Sequence, residues 1–572
     1  MKKESKKKEK VFIFDFESRN SQKEIDNNVT SIWLWDLCDF ELNHTTGYTM
    51  DSFFEELKRI APALLYSHNL KFDISFILDY ILKKGYKWVD ESKTLKANQF
   101  TTIISDMGQF YTVKICLQIG KYVKERAIIS FRDSMKKITG TVKKIAESYN
   151  LPIKKGEIDY RKERDLNYIP TQEEIEYIHN DTEIIARVMK DFYSLGFTKM
   201  TCSSDSFNSY KKELGEHTFN ILYPQLDKQI DMFIRETYRG GVSMPNLKIK
   251  NKWVNQEIWG YDVNSMYPSV MCEELLPYGE AVHFKGRYLT SDLYPLFVIH
   301  IFVCCKIKEN KIPCIQIKNG ISLFDRLEYL EDTKNQMQEL YLTSVDYFLM
   351  IDSYYIYDIK YVDGYYFKGS RNLFKEYIKP IYEEKKINKG VKREICKIKL
   401  NSLYGKFALN PYTLSKYPFY DKEDKRVRYL PYEQIKERKS IYPVVSSFIT
   451  ANARKRLFTY INNNYDTFLY CDTDSVFLTT DKPNKLPLGN ELGELKIEHH
   501  YLKAKFIRSK CYIGLNENGS WDKKCAGLPE EAKKQINEEN FKIGSVFDGK
   551  LIPKIVDGGT ILVDGYYTIY YD

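Results

Sequence analysis

The 572-residue chain is 43% hydrophobic, which is enough to fill several cores, so its composition excludes an intrinsically disordered protein. Lys and Arg outnumber Asp and Glu by 87 to 78, and the resulting net charge of +9 suits a polyanionic partner. A coding bias toward Lys, Asn, Ile and Tyr would produce the same charge. Composition alone therefore leaves both explanations open.

The cysteines and the apolar runs indicate the cellular compartment of the protein. The 11 Cys are an odd number and include no Cys-x-x-Cys pair or Cys/His cluster, which indicates reduced thiols in a cytosol and argues against structural zinc. The charged start, MKKESKKKEK, is expected to be a solvated tail, because the apolar run after it is too short for a secretory signal. The longest apolar run, at 296–305, is too short to span a bilayer and is expected to be a buried strand.

Alternating segments along the chain predict several domains. Strand-like and helix-like segments alternate from VFIFDFE (11–17) to about residue 195, which indicates an α/β domain, and TCSSDSFNS (201–209) is typical of a linker. Later strands at 259–264 and 467–476 also carry acidic residues, and a long helix is predicted over about 371–407. Within 412–440, PFYDKEDKRVRYLP predicts a β-hairpin with a charged turn.

Four acidic residues form the first candidate site. Asp15 and Glu17 are two apart on a predicted strand and share a face, Asp73 lies in YSHNLKFDISFI, and Tyr177 and Asp181 share one face of a helix. Four carboxylates in apolar elements are costly to bury without cations. Two divalent ions would neutralise them, polarise a phosphodiester and generate hydroxide, with Tyr177 orienting the water. The alternative is four unrelated structural acids.

Three residues beside Asp73 are expected to contact a single strand of nucleic acid. His68, Asn69 and Phe72 combine polar groups with an aromatic ring, a combination that suits a splayed strand. Histidine is a poor ligand for Mg²⁺, so metal binding by His68 is not expected. A structural histidine with satisfied hydrogen bonds is the alternative for His68.

A second acidic cluster follows two later strands. Asp262 ends the strand before YPSV, and Asp472 and Asp474 lie two apart in a tight turn of YCDTDSVFL. These acids repel one another unless cations are bound. Three carboxylates around two Mg²⁺ ions is the arrangement that phosphoryl transfer requires, with one ion activating a primer 3′-hydroxyl.

The predicted helix between these strands carries a row of cations, which can grip a triphosphate, whereas a solvated helix face is the simpler alternative. The following KLNSLYGKF favours the first explanation, since a plain surface helix needs neither its Gly405 nor its aromatic residues. Tyr404 would stack on the incoming base or sugar. The row comprises Lys385, Lys389, Arg393, Lys397 and Asn401, followed by Tyr404.

Six motifs together resemble family B DNA polymerases. DVNSMYP, KLNSLYG and YCDTDS resemble the three polymerase motifs, and DFE, HNLKFD and Tyr177-x-x-x-Asp181 resemble the three exonuclease motifs. YRGG (238–241), Lys510-Cys511-Tyr512, the TANAR segment (450–454) and KCAG are similar to motifs of the protein-primed branch found in small tailed phages.

This resemblance implies a right-hand polymerase fold behind an RNase H-like exonuclease domain, in an α/β and α+β multidomain chain with two branch-specific insertions. The implied boundaries are 1–201 for the exonuclease domain, 202–273 for the first part of the palm, 274–373 for a terminal-protein-binding insertion, 374–408 for the fingers, 409–440 for a strand-displacement hairpin, 441–525 for the second part of the palm and 526–572 for the thumb.

The resemblance also implies a role for individual residues. Asp262, Asp474 and the Val263 carbonyl would bind metal, Asp472 would bind metal and contribute to catalysis, and Lys155 would assist the exonuclease. The remaining roles concern nucleotide and DNA. Triphosphate and nucleotide contacts would come from Lys385, Arg393, Lys397, Asn401, Tyr267 and Tyr404, and DNA contacts from Tyr238, Gly240, Gly241, Thr450, Arg454, Lys510 and Tyr512.

The resemblance thus implies a processive, strand-displacing and proofreading polymerase with two Mg²⁺ ions per active site, replaceable by Mn²⁺. Its partners would be primer-template and single-stranded DNA, dNTPs and a terminal protein primer. It would work as a monomer in the cytoplasm of a bacterial host, without a membrane. Two alternatives stay open: an inactive paralogue that serves as a DNA or terminal-protein scaffold, and an RNA-primed family B polymerase.

Overall fold

The computed structural model describes residues 10–91, 93–120, 125–289, 291–318 and 328–570. The charged tail at 1–9 lies outside the described residues, as do residues 290 and 319–327 of the first predicted insertion. Among the described helices, none is long and apolar enough to cross a membrane.

The N-terminal part is an eight-stranded mixed sheet in the order β3-β2-β1-β4-β8-β7-β6-β5. Helices α2 and α3 cover one face through Phe53 and Phe76, and α4 and α5 cover the other through Ile145 and Ile185. Its elements are β1 (Lys10–Ser18), α1 (Gln22–Asn27), β2 (Ile32–Asp39), β3 (His44–Gly47), α2 (Met50–Ile60), β4 (Ala63–Ser67), α3 (Leu70–Lys83), β5 (Lys87–Trp88), β6 (Gln99–Ile104), β7 (Phe110–Gln118), β8 (Arg126–Asp133), α4 (Val142–Ser148) and α5 (Gln172–Ser194).

A second sheet crosses the middle and the end of the chain, in the order β24-β23-β22-β11-β21-β20-β9, with β10 paired to β22. Helix α13 packs beside it and is buried along most of its length. Its elements and the neighbouring helices are α6 (Cys202–Leu214), α7 (Glu216–Leu222), α8 (Lys228–Thr237), β9 (Ser243–Pro245), β10 (Trp253–Val254), β11 (Ile258–Val263), α9 (Met266–Glu273), α13 (Pro443–Asn463), β20 (Phe468–Asp472), β21 (Ser475–Leu478), β22 (Leu495–Arg508), β23 (Cys511–Asn516) and β24 (Trp521–Cys525).

Four smaller units branch from this second sheet: an insertion built on the sheet β12-β17-β13-β16, a helical pair and two hairpins. Their elements are β12 (Leu276–Lys285), β13 (Leu296–Ile307), β14 (Gln316–Ile317), β15 (Glu328–Tyr329), β16 (Gln338–Thr343), α10 (Ser344–Ser353), β17 (Tyr354–Ser370), α11 (Lys375–Ile387), α12 (Gly390–Phe407), β18 (Tyr412–Asp421), β19 (Arg426–Glu437), α14 (Glu530–Lys534), β25 (Val546–Val556) and β26 (Gly559–Thr568).

Two predicted elements were wrong. The expected linker at 201–209 is the start of α6, whose Ser and Thr residues form the helix N-terminus: the Thr201 hydroxyl accepts from the Ser204 amide, and Tyr210 is buried. The single helix expected over 371–407 is two helices. The helical conformation is interrupted at Asn388–Lys389, and Gly390 adopts a left-handed φ of 59°.

The hairpin predicted within 412–440 is present as β18 and β19, and it is fixed to the N-terminal domain rather than free along its length. Val427 is buried in the core of that domain, Tyr417 packs on Trp88 with ring centroids 5.0 Å apart, and Lys436 forms an ion pair of 2.9 Å with Asp90. The turn at 422–425 is exposed, as are several side chains of the arms, among them Leu430 and Ile435.

Candidate active sites

The first acidic cluster lies where β1, α3 and α5 meet. Asp15 and Glu17 point from one face of β1, Asp73 comes from the first turn of α3, and Asp181 comes from α5. The structure brings all four into one cavity, which Tyr177 and Lys155 also line.

Burial and mutual repulsion perturb these acids. Burial, reinforced by Asp181, raises the pKa of Glu17 to about 8, and burial raises the pKa of Asp73 to about 7. The pKa of Asp15 is raised well above its ordinary value by burial and then by Asp73 and Glu17. Such acids lose protons readily only when positive charge is brought beside them.

The donors in this cavity fit divalent cations. Lys155 forms an ion pair with one Asp181 oxygen, and Ser67 donates to one Asp73 oxygen. The other carboxylate oxygens of both Asp73 and Asp181 are buried and lack a hydrogen-bond partner among the described residues. Buried oxygens without a donor are suitable ligands for a hard cation.

The residues expected to hold a single strand border the same cavity. His68, Asn69 and Phe72 all line it. Both ring nitrogens of His68 are already engaged within the protein, with Ser134 Oγ at 2.9 Å and the Gly140 carbonyl at 2.7 Å. This geometry favours the structural alternative for the His68 nitrogens.

The second acidic cluster lies on the second sheet. Asp262 ends β11 opposite Ser475, and the Val263 amide donates to the Asp474 carbonyl at 2.9 Å. Burial followed by Asp474 raises the pKa of Asp262 to about 7, and burial raises the pKa of Asp474 to about 6. These two carboxylates therefore form the repelling pair on which cations would act.

The third predicted acid of this cluster, Asp472, lines the same cavity as Asp262 and Asp474 and carries its own cation partner. Lys510 Nζ lies 2.8 Å from both of its carboxylate oxygens, and the Thr473 hydroxyl donates to it at 3.1 Å. Thr473 has a left-handed φ of 57°, which turns the chain between the two acids.

Two stacked tyrosines adjoin the Asp262–Asp474 pair. Tyr267 and Tyr404 have ring centroids 4.4 Å apart at an angle of 26°. Gly241 packs beneath them, because a Cβ there would lie 3.0 Å from the Thr473 side chain and 3.1 Å from the Tyr267 hydroxyl. Tyr238 also lies nearby, since burial followed by Tyr404 raises its pKa to about 12.

The predicted row of cations is divided between two helices. Lys385 lies in the last turn of α11 and donates to Ser265 Oγ at 3.0 Å, whereas Arg393 and Lys397 lie exposed on α12. The pKa of Lys385 is lowered by burial and then by Arg393 and Lys397, so the three cations still face one region. Asn401 is exposed further along α12, and Lys389 precedes that helix.

The side chains of Thr450 and Arg454, both predicted to contact DNA, are buried and bond within the protein. The Thr450 hydroxyl donates within its own helix to Ser446 at 3.1 Å. Arg454 binds both oxygens of Asp346 at 2.8 Å and donates to the carbonyl of Gly240 at 3.0 Å. Arg454 therefore holds the 238–241 segment in place.

Sequence reasoning missed Glu498 and Lys496 on β22. Glu498 lines the same cavity as Asp262, Asp474, Lys510 and Tyr512, and its charge contributes to the raised pKa values of Asp262 and Asp474. Lys496 forms an ion pair of 2.6 Å with Glu498 and is the direct cross-strand neighbour of Asp262. The alternating strand LKIEH was the available signal, but only strand pairing places it beside Asp262.

Two acidic clusters on separate sheets, one of them beside stacked tyrosines and converging cations, are typical of an enzyme that both builds and degrades a polynucleotide. A family model described as DNA polymerase type B, organellar and viral, matches residues 61–487, and the chain belongs to this family. It is a family B DNA polymerase.

Within the family, the chain is a DNA polymerase of the phi29 type. It is 38% identical to the DNA polymerase of Bacillus phage Nf and 36% identical to that of Bacillus phage phi29, in each case over 98% of this chain and 99% of the relative. The solved structure of phi29 DNA polymerase matches with a TM-score of 0.90 and 33% identity, covering 98% of this chain and 100% of that one.

The tyrosine stack predicts how the polymerase excludes ribonucleotides. Replacing Tyr267 with Val should raise incorporation of ribonucleotides relative to deoxyribonucleotides by about 10- to 100-fold, because the ring would no longer fill the space that a 2′-hydroxyl needs. Single-nucleotide extension with matched dNTP and rNTP measures the ratio. Tyr267→Phe keeps the ring and should keep the discrimination; an unchanged ratio in an active Tyr267→Val variant would remove this role.

Proposed function

We propose that the protein is a monomeric replicative polymerase of a phage-type linear genome, which starts on a terminal protein, displaces the strand ahead and proofreads with a 3′→5′ exonuclease in the cytoplasm of a bacterial host. The observation that carries the two activities is the pair of separate cavities, each holding carboxylates whose pKa values are raised by burial and by one another. The phi29 relative was solved with primer-template DNA, with single-stranded DNA and with incoming nucleotides, which supports these partners.

In the polymerase site the chain's own residues bind and orient the substrates. Lys385, Arg393 and Lys397 would bind the triphosphate, and Tyr267 and Tyr404 would pack against the sugar and base. Asp262, Asp474, Asp472 and the Val263 carbonyl would hold two Mg²⁺ ions, with Mn²⁺ as a substitute. When bound, these ions lower the pKa of the primer 3′-hydroxyl and stabilise the charge that develops on the phosphate and pyrophosphate.

In the exonuclease site Asp15, Glu17, Asp73 and Asp181 would hold the second pair of ions. Tyr177 is positioned to orient the attacking water, since its hydroxyl lies 2.9 Å from Tyr160 Oη and is thereby fixed at the cavity wall. Lys155 would neutralise charge on the scissile phosphate, because its ammonium already lies beside Asp181. Asn69 and Phe72 would hold the frayed strand.

Substitutions in one site should remove its activity without removing the activity of the other site. Asp15→Ala with Glu17→Ala should lower 3′→5′ degradation of single-stranded DNA by about 10³-fold, since half of the metal ligands disappear, while extension of a matched primer survives. Asp474→Ala should do the reverse. Both activities are measured on one labelled primer with and without dNTPs.

The control variant Asp466→Ala removes an acid that is near Asp474 in the sequence but does not line either cavity. This variant should retain both activities. If either active-site variant lost both activities while remaining folded by circular dichroism, the assignment of two independent sites would be wrong.

The insertion at 274–373 is the candidate surface for the terminal protein. It presents large apolar side chains to solvent, with Phe348 50% exposed and Tyr357 59% exposed. Exposed aromatic side chains are typical of protein-binding surfaces. A bound protein would offer a Ser, Thr or Tyr hydroxyl in the place of the primer 3′-hydroxyl.

Protein priming predicts a covalent adduct. Incubation with the cognate terminal protein, labelled dNTP, origin DNA and Mg²⁺ or Mn²⁺ should yield a protein–nucleotide product that survives denaturing electrophoresis, and Asp474→Ala should abolish it. Phe348→Ser with Tyr357→Ser should weaken this product several-fold yet leave DNA-primed extension unchanged. Absence of the adduct with the authentic partner would favour the RNA-primed alternative.

Strand displacement is proposed to depend on the β18–β19 hairpin. Its arms pack on the N-terminal domain, and Lys83 of α3 lies 5.4 Å from the Tyr420 ring and also pairs with Asp557 at the end of β25. The two hairpins and α3 therefore meet and can close a path around DNA. A closed path would admit only one DNA strand ahead of the polymerase. It would also slow dissociation of the polymerase from DNA.

Deleting residues 415–428 should leave short gap filling nearly intact but reduce processivity and synthesis through a downstream duplex. Because this deletion also removes the buried Val427, the control replaces only the exposed turn Lys422–Lys425 with Asn-Gly, which keeps the packed arms and should keep displacement. Normal displacement by a folded 415–428 deletion would show that the hairpin is an ordinary surface feature.

A further inference from the structure

A group of metal-ligating side chains lies outside both active sites. Asp36 comes from β2, His44 from β3 and His179 from α5, and one ligand atom from each lies within 4.8 Å of the others. The group belongs to the N-terminal domain, where Asp36 is the direct cross-strand neighbour of Asp15.

Strand register explains how the group assembles. In the β2–β3 pair Asp36 lies opposite Thr46, and Cys38 lies opposite His44, so Asp36 and His44 share one face. Helix α5 packs on that face and adds His179. The two imidazole rings stack with centroids 4.1 Å apart at 21°.

The charge of Asp36 is the unusual feature. Its side chain is fully buried and accepts from Thr182 Oγ1 at 2.6 Å and from Thr46 Oγ1 at 3.1 Å. Among the described residues, its ion-pair partners are His44 at 2.8 Å and His179 at 3.4 Å, not Lys or Arg. One cation, either a single protonated imidazole or a bound metal ion, would neutralise this buried carboxylate. His179 Nε2 also lies 2.9 Å from Thr46 Oγ1, so the ring is held with a nitrogen toward Asp36.

We propose that Asp36, His44 and His179 form a binding site for a divalent transition metal of the zinc class. Two imidazole nitrogens and one carboxylate oxygen are ligands that Zn²⁺, Co²⁺ and Ni²⁺ prefer, whereas Mg²⁺ prefers oxygen alone. Glu183 would orient His44 from outside the metal, because its Oε2 lies 3.9 Å from His44 Nε2, whereas His44 Nδ1 faces Asp36 at 2.8 Å. The site therefore differs in metal preference from the two carboxylate clusters.

The metal would join the β2–β3 hairpin to α5. His179 lies between Tyr177 and Asp181 on that helix, so a metal at this point would fix the helix that carries two residues of the exonuclease cavity. Its expected effect is on the stability of the N-terminal domain. The competing explanation is a hydrogen-bonded polar group that binds no metal.

Zinc binding by the full chain tests the proposal. After chelation, the protein is dialysed against ZnCl₂ in saturating Mg²⁺, which occupies the carboxylate clusters, and bound zinc and melting temperature are measured. The wild type should bind one zinc ion more per chain than His44→Gln with His179→Gln, and zinc should raise the melting temperature of the wild type alone. Loss of both imidazoles should weaken binding by at least about 100-fold.

Two controls separate this site from others. His217→Gln changes an exposed histidine and should keep the additional zinc ion, as should Asp15→Ala with Glu17→Ala, which removes exonuclease ligands. Equal zinc uptake by the wild type and the double histidine variant would overturn the proposal. Should that variant fail to fold, Co²⁺ added to the wild type decides: visible absorption bands of nitrogen-ligated Co²⁺ support the site, and their absence rejects it.

Discussion

Repulsion between carboxylates that the fold forces together is the constraint on which both sites depend. Glu17 and Asp262 come from the ends of central strands, and burial holds the pKa of each far above its ordinary value, at about 8 and about 7. Isolated elements would not hold such groups together, because the acids would separate into solvent. The sheets hold them because apolar residues on both faces, such as Ile13 and Phe14 beside Asp15, are buried in opposite cores.

A lysine pairs with one predicted acid in each cluster, and the two pairs differ in which acid is bound. Lys155 pairs with Asp181, which is itself one of the converging acids, so the exonuclease cavity contains a cation even before metals bind. Lys510 instead pairs with Asp472, which lines the same cavity as Asp262 and Asp474 and helps to raise the pKa of Asp474. Glu498, held by Lys496, adds negative charge to this cavity from another strand.

Local spacing predicted those parts of the sites that a single element determines. Asp15 and Glu17 on a strand and Tyr177 and Asp181 on a helix lie as their separations of two and four residues require. The sequence could not reveal the break before Gly390, because a row of cations every four residues continues across it. Partners distant in the chain were also missed. The burial of Arg454 depends on Asp346, 108 residues away. The Asp36–His44–His179 group has no spacing in the sequence that marks it, because strand register and helix packing assemble it.

Helix α3 connects the exonuclease cavity to the end of the chain. Its first turn carries Asp73, and its later turns carry Ser75, which accepts from the Thr560 hydroxyl at 2.8 Å, and Lys83, which pairs with Asp557. Thr560 and Asp557 belong to the β25–β26 hairpin, and Leu562 of the same hairpin lines the exonuclease cavity. Because α3 carries Asp73 and contacts the β25–β26 hairpin through Ser75 and Lys83, a movement of this hairpin would reach both a predicted metal ligand and, through Leu562, a wall of the cavity. The β25–β26 hairpin, which we propose helps to close a path around DNA, therefore also forms part of the proposed exonuclease cavity.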